Sequence, residues 1–155
     1  MGLEISSQAF GADAEIPRTY TGEGRNVSPP LRWSGGPGGT RSYALIVDDP
    51  DAPKGTFTHW VVYDIPATES ELPEGIEHVG KFTDGRAQGT NDYDHRGWDG
   101  PLPPKGHGTH HYHFKLFALD TALDLDAGVS KGEVLDAMEG HVLDWAELVA
   151  CYARD

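Results

Sequence analysis

Four side chains in this sequence could act together on an anion: Asp49, His59, His110 and Tyr112. Each lies in or at the end of a strand-like run. If those runs pair with the same ends together, one carboxylate, two imidazoles and a phenol converge on a small pocket rich in hydrogen-bond donors. Such a set suits a phosphate or a carboxylate group. An aspartate that accepts from one imidazole nitrogen fixes the tautomer and raises the affinity of that ring for a second proton, which leaves the other nitrogen of the protonated ring to donate. Taken singly, the same residues have plain structural uses: Asp49 precedes Pro50 and suits a turn, His59 suits a hydrogen-bonded core position, and Tyr112 suits ordinary core. Their joint placement at strand ends, beside Gly- and Pro-rich segments, favours the pocket.

Four histidines fall within seven residues, at His107, His110, His111 and His113, which raises a metal site. Alternation along a strand sends His111 and His113 to the face opposite His110, and no carboxylate is interleaved. No metal and no cofactor are therefore expected. The sequence also lacks a G-x-x-x-x-G-K-[ST] phosphate loop, an H-E-x-x-H pair and a G-x-G-x-x-G turn, and its one G-x-S-x-G string, 128–132, coincides with a capping-box pattern at Ser130, so the common hydrolase, nucleotide-binding and metalloprotease readings lose their usual support. The catalytic alternative is a small ester or phosphoester hydrolase: His59, oriented by Asp49, acts as general base while His110 and backbone donors near Gly100 stabilise an oxyanion. No activated nucleophile accompanies the histidines, so binding without catalysis is the leading reading.

Three runs must position these groups. Tyr43–Val47 and Phe57–Ile65 are rich in β-branched and aromatic residues and bounded by Pro and Gly, which predicts neighbouring central strands with an exposed loop over 48–55. From His110 to Leu119, His110, Tyr112, Phe114, Leu116 and Ala118 share one parity, which places His110 on the apolar face. Ser130-Lys131-Gly132-Glu133 is a capping-box pattern followed by Val134, Leu135, Met138 and Val142 at helical spacing, with Gly140 near the end. Glu147 to Tyr152 reads as a closing strand, and the N-terminal third as short strands such as Leu3 to Ser6 between turns. The order predicts a mainly β fold, a two-sheet antiparallel sandwich with one or two short peripheral helices, in a single domain over 1–155.

Twelve basic against 25 acidic residues give a net charge of −13, which repels phosphate backbones and anionic lipid surfaces. Nucleic acid and stable membrane insertion are excluded as partners. A single cysteine, Cys151, rules out an intrachain disulfide, and no basic region followed by an apolar stretch opens the sequence, so a cytoplasmic location is expected. Trp60 and Trp145 could supply the face of a homodimer.

Asp49-Pro50-Asp51-Ala52-Pro53, Thr58-His59-Trp60-Val61-Val62, Gly100-Pro101-Leu102-Pro103-Pro104-Lys105-Gly106 and His110-His111-Tyr112-His113-Phe114, in this order and spacing, resemble the phosphatidylethanolamine-binding protein family, also called Raf kinase inhibitor-like proteins, and in particular its bacterial and archaeal branch. The resemblance implies a β-sandwich with an anion cavity at the ends of the central strands. Carried over by position, Asp49, His59, Gly100, His110 and Tyr112 would line it, with Pro101 and Trp98 at the rim. It implies ligands such as phospholipid headgroups, nucleotides or phosphorylated groups, and a protein partner of the kinase or protease kind that is inhibited by binding. Gly22 and Leu102 stand where many prokaryotic relatives carry cysteines, so no redox role is implied, and three Asp within 92–99 disfavour highly charged anions. With no C-terminal helix evident after Glu147–Arg154, the cavity is expected to be open or closed by a second copy.

Overall fold

The computed structural model describes residues 2–154, so the terminal residues of the expected 1–155 domain, Met1 and Asp155, lie outside the described residues. In chain order the elements are β1 (Glu4–Ser6), a 3-10 turn (Arg18–Tyr20), β2 (Leu31–Ser34), β3 (Ser42–Asp49), β4 (Phe57–Pro66), β5 (Glu71–Leu72), β6 (Ala87–Gln88), β7 (His110–Leu119), α1 (Lys131–Met138) and β8 (Val142–Tyr152). They form a three-stranded sheet, β1-β2-β5, and a five-stranded sheet, β6-β4-β3-β7-β8, antiparallel throughout. The fold is mainly β, as the sequence predicts.

The central strand β3 is buried along its whole length because both faces of the large sheet are covered. On one face Tyr43, Leu45 and Val47 of β3 and Tyr112, Phe114, Leu116 and Ala118 of β7 pack against Ile5, Leu31, Trp33 and Leu72 of the small sheet. On the other, Ala44, Ile46, Val61 and Tyr63 pack under Val134 and Met138 of α1. Parity thus assigns Asp49 and His110 to the inter-sheet face, whereas Asp48, one residue earlier, points to the helix side and binds Lys131 Nζ at 2.8 Å.

α1 begins at the predicted capping box, with the Ser130 hydroxyl accepting from the Glu133 amide. It ends sooner than the apolar spacing suggests. Gly140 takes φ +82°, the chain reverses, and Val142 opens β8 instead of extending the helix. β8 is therefore longer than the predicted Glu147–Tyr152 and lies at the sheet edge, where Trp145 is 52% exposed. Trp60 is fully buried with its indole N–H on Gln88 Oε1 at 2.7 Å, so it cannot contribute to a dimer face as expected. Among the described residues no helix is long and apolar enough to cross a membrane.

Candidate functional site

The β3–β7 ladder stops at Asp48↔His113, and the candidate residues stand just beyond, where the strands part. Asp49 is the last residue of β3, His110 and Tyr112 lie in the first turn of the pleat of β7, and all three face the small sheet by alternation. His59 arrives there by a different route. In the β3–β4 register Val47 pairs with Trp60 and Asp48 with Thr58, leaving His59 as the extra residue of a β-bulge. The bulge reverses the parity at this point and aims the imidazole at Tyr112, with ring centroids 5.3 Å apart.

Asp49, His59, His110 and Tyr112 thereby share a cavity of about 190 Å³ with Ala52, Pro53, Phe57, Tyr93, Leu102, Pro103 and Pro104. The floor is polar and the collar apolar. Asp49 is fully committed: Oδ1 accepts from the Asp51 amide at 2.8 Å, closing the turn, and Oδ2 accepts from His110 Nδ1 at 2.6 Å. Because a carboxylate only accepts, His110 Nδ1 carries the proton. His110 Nε2 is also engaged, 2.6 Å from His107 Nδ1.

The catalytic alternative is corrected here. Asp49 orients His110, not His59. His59 Nδ1 instead donates to the Asp99 carbonyl at 2.7 Å, and that carbonyl can only accept, so neutral His59 presents an unprotonated Nε2. His59 is 3% exposed, and burial holds its pKa below the usual imidazole value, against the pull of the Asp99 bond and of the Asp49, Asp99 and Asp92 charges. It is therefore an acceptor at neutral pH where the sequence suggested a donor. Tyr112 is pushed in the opposite direction, burial first and the Asp49 charge second, so its phenol stays protonated. Its hydroxyl makes no hydrogen bond to the described residues and remains a donor to the cavity.

Three predicted residues lie outside the cavity lining. Trp98 is 1% exposed, its ring packed between Trp60 and Phe114 and its N–H on the Tyr20 carbonyl at 3.0 Å, so it supports the floor from the core instead of forming the rim. Gly100 is a close-approach position: a Cβ there would fall against the Tyr20 carbonyl oxygen, and its N–H donates to Asn26 Oδ1 at 2.7 Å. That N–H is not available to an oxyanion. Pro101 is buried beside it, its carbonyl bound by the Gly22 amide at 2.8 Å. The rim aromatic is Tyr93, 40% exposed, against Phe57 at 4.7 Å between ring centroids. Its loop is built on Asn91, whose amide donates to the Gly97 carbonyl and Asp99 Oδ2 while its Oδ1 accepts from the Tyr93 and His95 amides. Tyr93 and Asn91 have no periodic signal in the sequence; only the density of Asp and Gly marks the loop.

His111 pairs with Asp51 at 2.8 Å and His113 with Glu147 at 2.9 Å, both exposed or half-exposed and both turned away from His110. Among the described residues no group of three or more His, Cys, Asp or Glu side chains is arranged to hold a metal.

A family model for phosphatidylethanolamine-binding protein matches residues 6–153. The UPF0098 protein of Methanothermobacter thermautotrophicus is 49% identical over 152 residues, covering 98% of this chain and 99% of that protein. The crystal structure of YbcL from E. coli, described as a new member of the mammalian PEBP family, superposes with a TM-score of 0.89 at 34% identity and full coverage of both chains. Carboxypeptidase Y inhibitor, solved in complex with its cognate proteinase, shares the fold at a TM-score of 0.59 and 14% identity, covering 99% of this chain and 84% of that one. With its sandwich, its strand-end cavity and a family match over nearly its whole length, this chain belongs to the phosphatidylethanolamine-binding protein family.

Proposed function

We propose that this protein binds small phosphate monoesters without transforming them, holding the singly charged, protonated phosphate on His59 and Tyr112. The observation that carries this reading is the pair of unpartnered polar atoms on the cavity floor: His59 Nε2, an acceptor, and the Tyr112 hydroxyl, a donor. A phosphate monoanion offers both complements, a P–OH to donate to His59 and P–O oxygens to accept from Tyr112. A carboxylate offers acceptors only and binds less well. The collar of Phe57, Tyr93, Leu102 and Pro53 suits a ligand with apolar substance next to the phosphate, such as a phospholipid headgroup with its glycerol portion, or the base of a nucleotide. For bare phosphate the expected affinity is millimolar to high-micromolar, about −4 to −6 kcal/mol.

One observation favours a second reading. A neutral, buried His59 oriented by the Asp99 carbonyl has the free lone pair of a general base, so a hydrolase would run through His59 and Asp99 rather than His59 and Asp49. Calorimetric titration of phosphate, phosphoethanolamine and phenyl phosphate into wild type and Tyr112→Phe at matched salt, with product analysis of the same samples, separates the two. Binding that weakens in the variant without product supports the binding protein. Product formation supports the hydrolase, and neither binding nor product overturns both. We extend the binding reading to a protein partner of the protease or kinase kind, inhibited through the cavity rim; the inhibitor–proteinase complex of the same fold is the precedent. A partner held through the cavity is lost in Asp49→Ala, and one that is retained in that variant overturns the extension.

A further inference from the structure

His110 Nε2 points toward the ligand side of the Asp49–His110 pair, yet it is already occupied. His107 Nδ1 lies 2.6 Å from it, with the two rings edge to face at 4.8 Å between centroids. With His110 Nδ1 protonated against Asp49, a neutral His110 accepts at Nε2 from His107 N–H, and a charged His110 donates from Nε2 to the His107 lone pair. In both states one proton bridges the rings and His110 offers nothing further.

The segment that carries His107 is fixed while its ring is exposed. Arg154 Nε donates to the Pro103 carbonyl at 2.6 Å, the Gly106 amide donates to the Arg154 carbonyl at 3.0 Å, and the His107 amide donates to the Pro104 carbonyl at 3.1 Å. Gly106 and Gly108, at φ +72° and +94°, form tight turns on either side, and no residue beyond the chain neighbours comes within 4 Å of where a Cβ would stand at either position. Because His107 is exposed, rotation about its own side-chain bonds can uncover His110 without moving the backbone.

We propose that His107 is an internal cap on His110: it occupies Nε2 in the free protein and must swing out before any ligand engages that nitrogen. In its role toward anions the cap rests on the phosphate reading above. It sets a threshold, because a group that cannot replace an imidazole as partner of His110 leaves the cap closed.

The test is His107→Ala, read in two ways. The first is the rate at which diethyl pyrocarbonate modifies His110, followed by peptide mass mapping; the reagent attacks an unprotonated imidazole nitrogen, which the cap covers. The second is the affinity for inorganic phosphate. Uncapping is expected to speed His110 modification several-fold and to tighten phosphate binding about fivefold, the value of one ordinary hydrogen bond. His107→Asn, whose amide nitrogen falls near the position of Nδ1, is expected to keep the wild-type modification rate. An unchanged His110 rate in His107→Ala overturns the cap, and so does weaker phosphate binding, which would make His107 a ligand contact. If His110 is unmasked but neither protein binds phosphate, the cap stands and the phosphate reading falls.

Discussion

Asp49→Asn tests the hydrogen-bond bookkeeping of the site more sharply than removal of the side chain. The carboxylate accepts twice, from the Asp51 amide and from His110 Nδ1–H. An asparagine of the same shape accepts with its oxygen and donates with its nitrogen, so it can keep the turn only by presenting N–H₂ to His110 Nδ1. His110 must then shift its proton to Nε2. The exchange replaces a charge-assisted bond with a neutral one, a loss of about 1 kcal/mol, equivalent to about 2–4 °C in Tm for a chain of this size. Asp49→Ala instead removes both bonds and strands the buried Nδ1 donor, a loss of about 3 kcal/mol. Urea melts measure the two losses, and long-range ¹⁵N–¹H correlation spectra of the imidazoles report the tautomer. The expected result is a protonated Nδ1 on His110 in wild type, a protonated Nε2 in Asp49→Asn, and a threefold difference in destabilisation. An unchanged tautomer, or equal losses in the two variants, refutes the reasoning.

Removing the Tyr112 hydroxyl as Tyr112→Phe deletes a donor that has no partner among the described residues, so stability should hold within about 0.5 kcal/mol while calorimetry shows phosphate affinity falling five- to tenfold. Gly100→Ala forces a methyl against the Tyr20 carbonyl and within 2.9 Å of Asn26 Oδ1, and thermal melts should show a loss of about 1–3 kcal/mol or more; Gly38→Ala, with open space around it, should be neutral. His59 has a lowered pKa in the folded state, so the unfolded chain binds its proton first as pH falls, and this group destabilises the fold progressively below about pH 6.5. Relative to His59→Gln, wild type should lose stability between about pH 7 and pH 5 in denaturant titrations.

The strands around the site were legible wherever one period ruled. From His110 to Ala118 the alternation is strict, and it correctly turned His110 inward and His111 and His113 outward. Val142 shows the limit of the method: it fits the helical spacing from Val134 and Met138, and only the reversal at Gly140 assigns it to β8. Trp98 failed for a related reason. Its loop has no period, so nothing local distinguishes an indole at the rim from one inserted between Trp60 and Phe114. The partner of Asp49 was equally hidden. Asp49 and His110 are 61 residues apart and Asp49 and His59 only ten, so the choice between them depends on the bulge at His59, which is a property of the β3–β4 register.

On the phosphate reading proposed above, that bulge also answers how a protein of charge −13 would accommodate an anion. No Lys or Arg lines the cavity, and the one charged group on its floor, Asp49, is negative. Attraction by net charge is therefore absent, and surface carboxylates beyond about 8 Å are screened at physiological salt. What remains is the fit of donors and acceptors. The bulge delivers His59 with its Nδ1 spent on the Asp99 carbonyl, so the floor presents an acceptor beside the Tyr112 donor. A fully deprotonated phosphate has no hydrogen to give His59 and brings a second negative charge toward Asp49, whereas the monoanion satisfies His59 and Tyr112 together. The phosphate reading therefore predicts selection by protonation state, an affinity that rises as pH falls through the second ionisation of phosphate and changes little with salt, which calorimetry across pH and salt measures; an affinity that instead rises with pH refutes it.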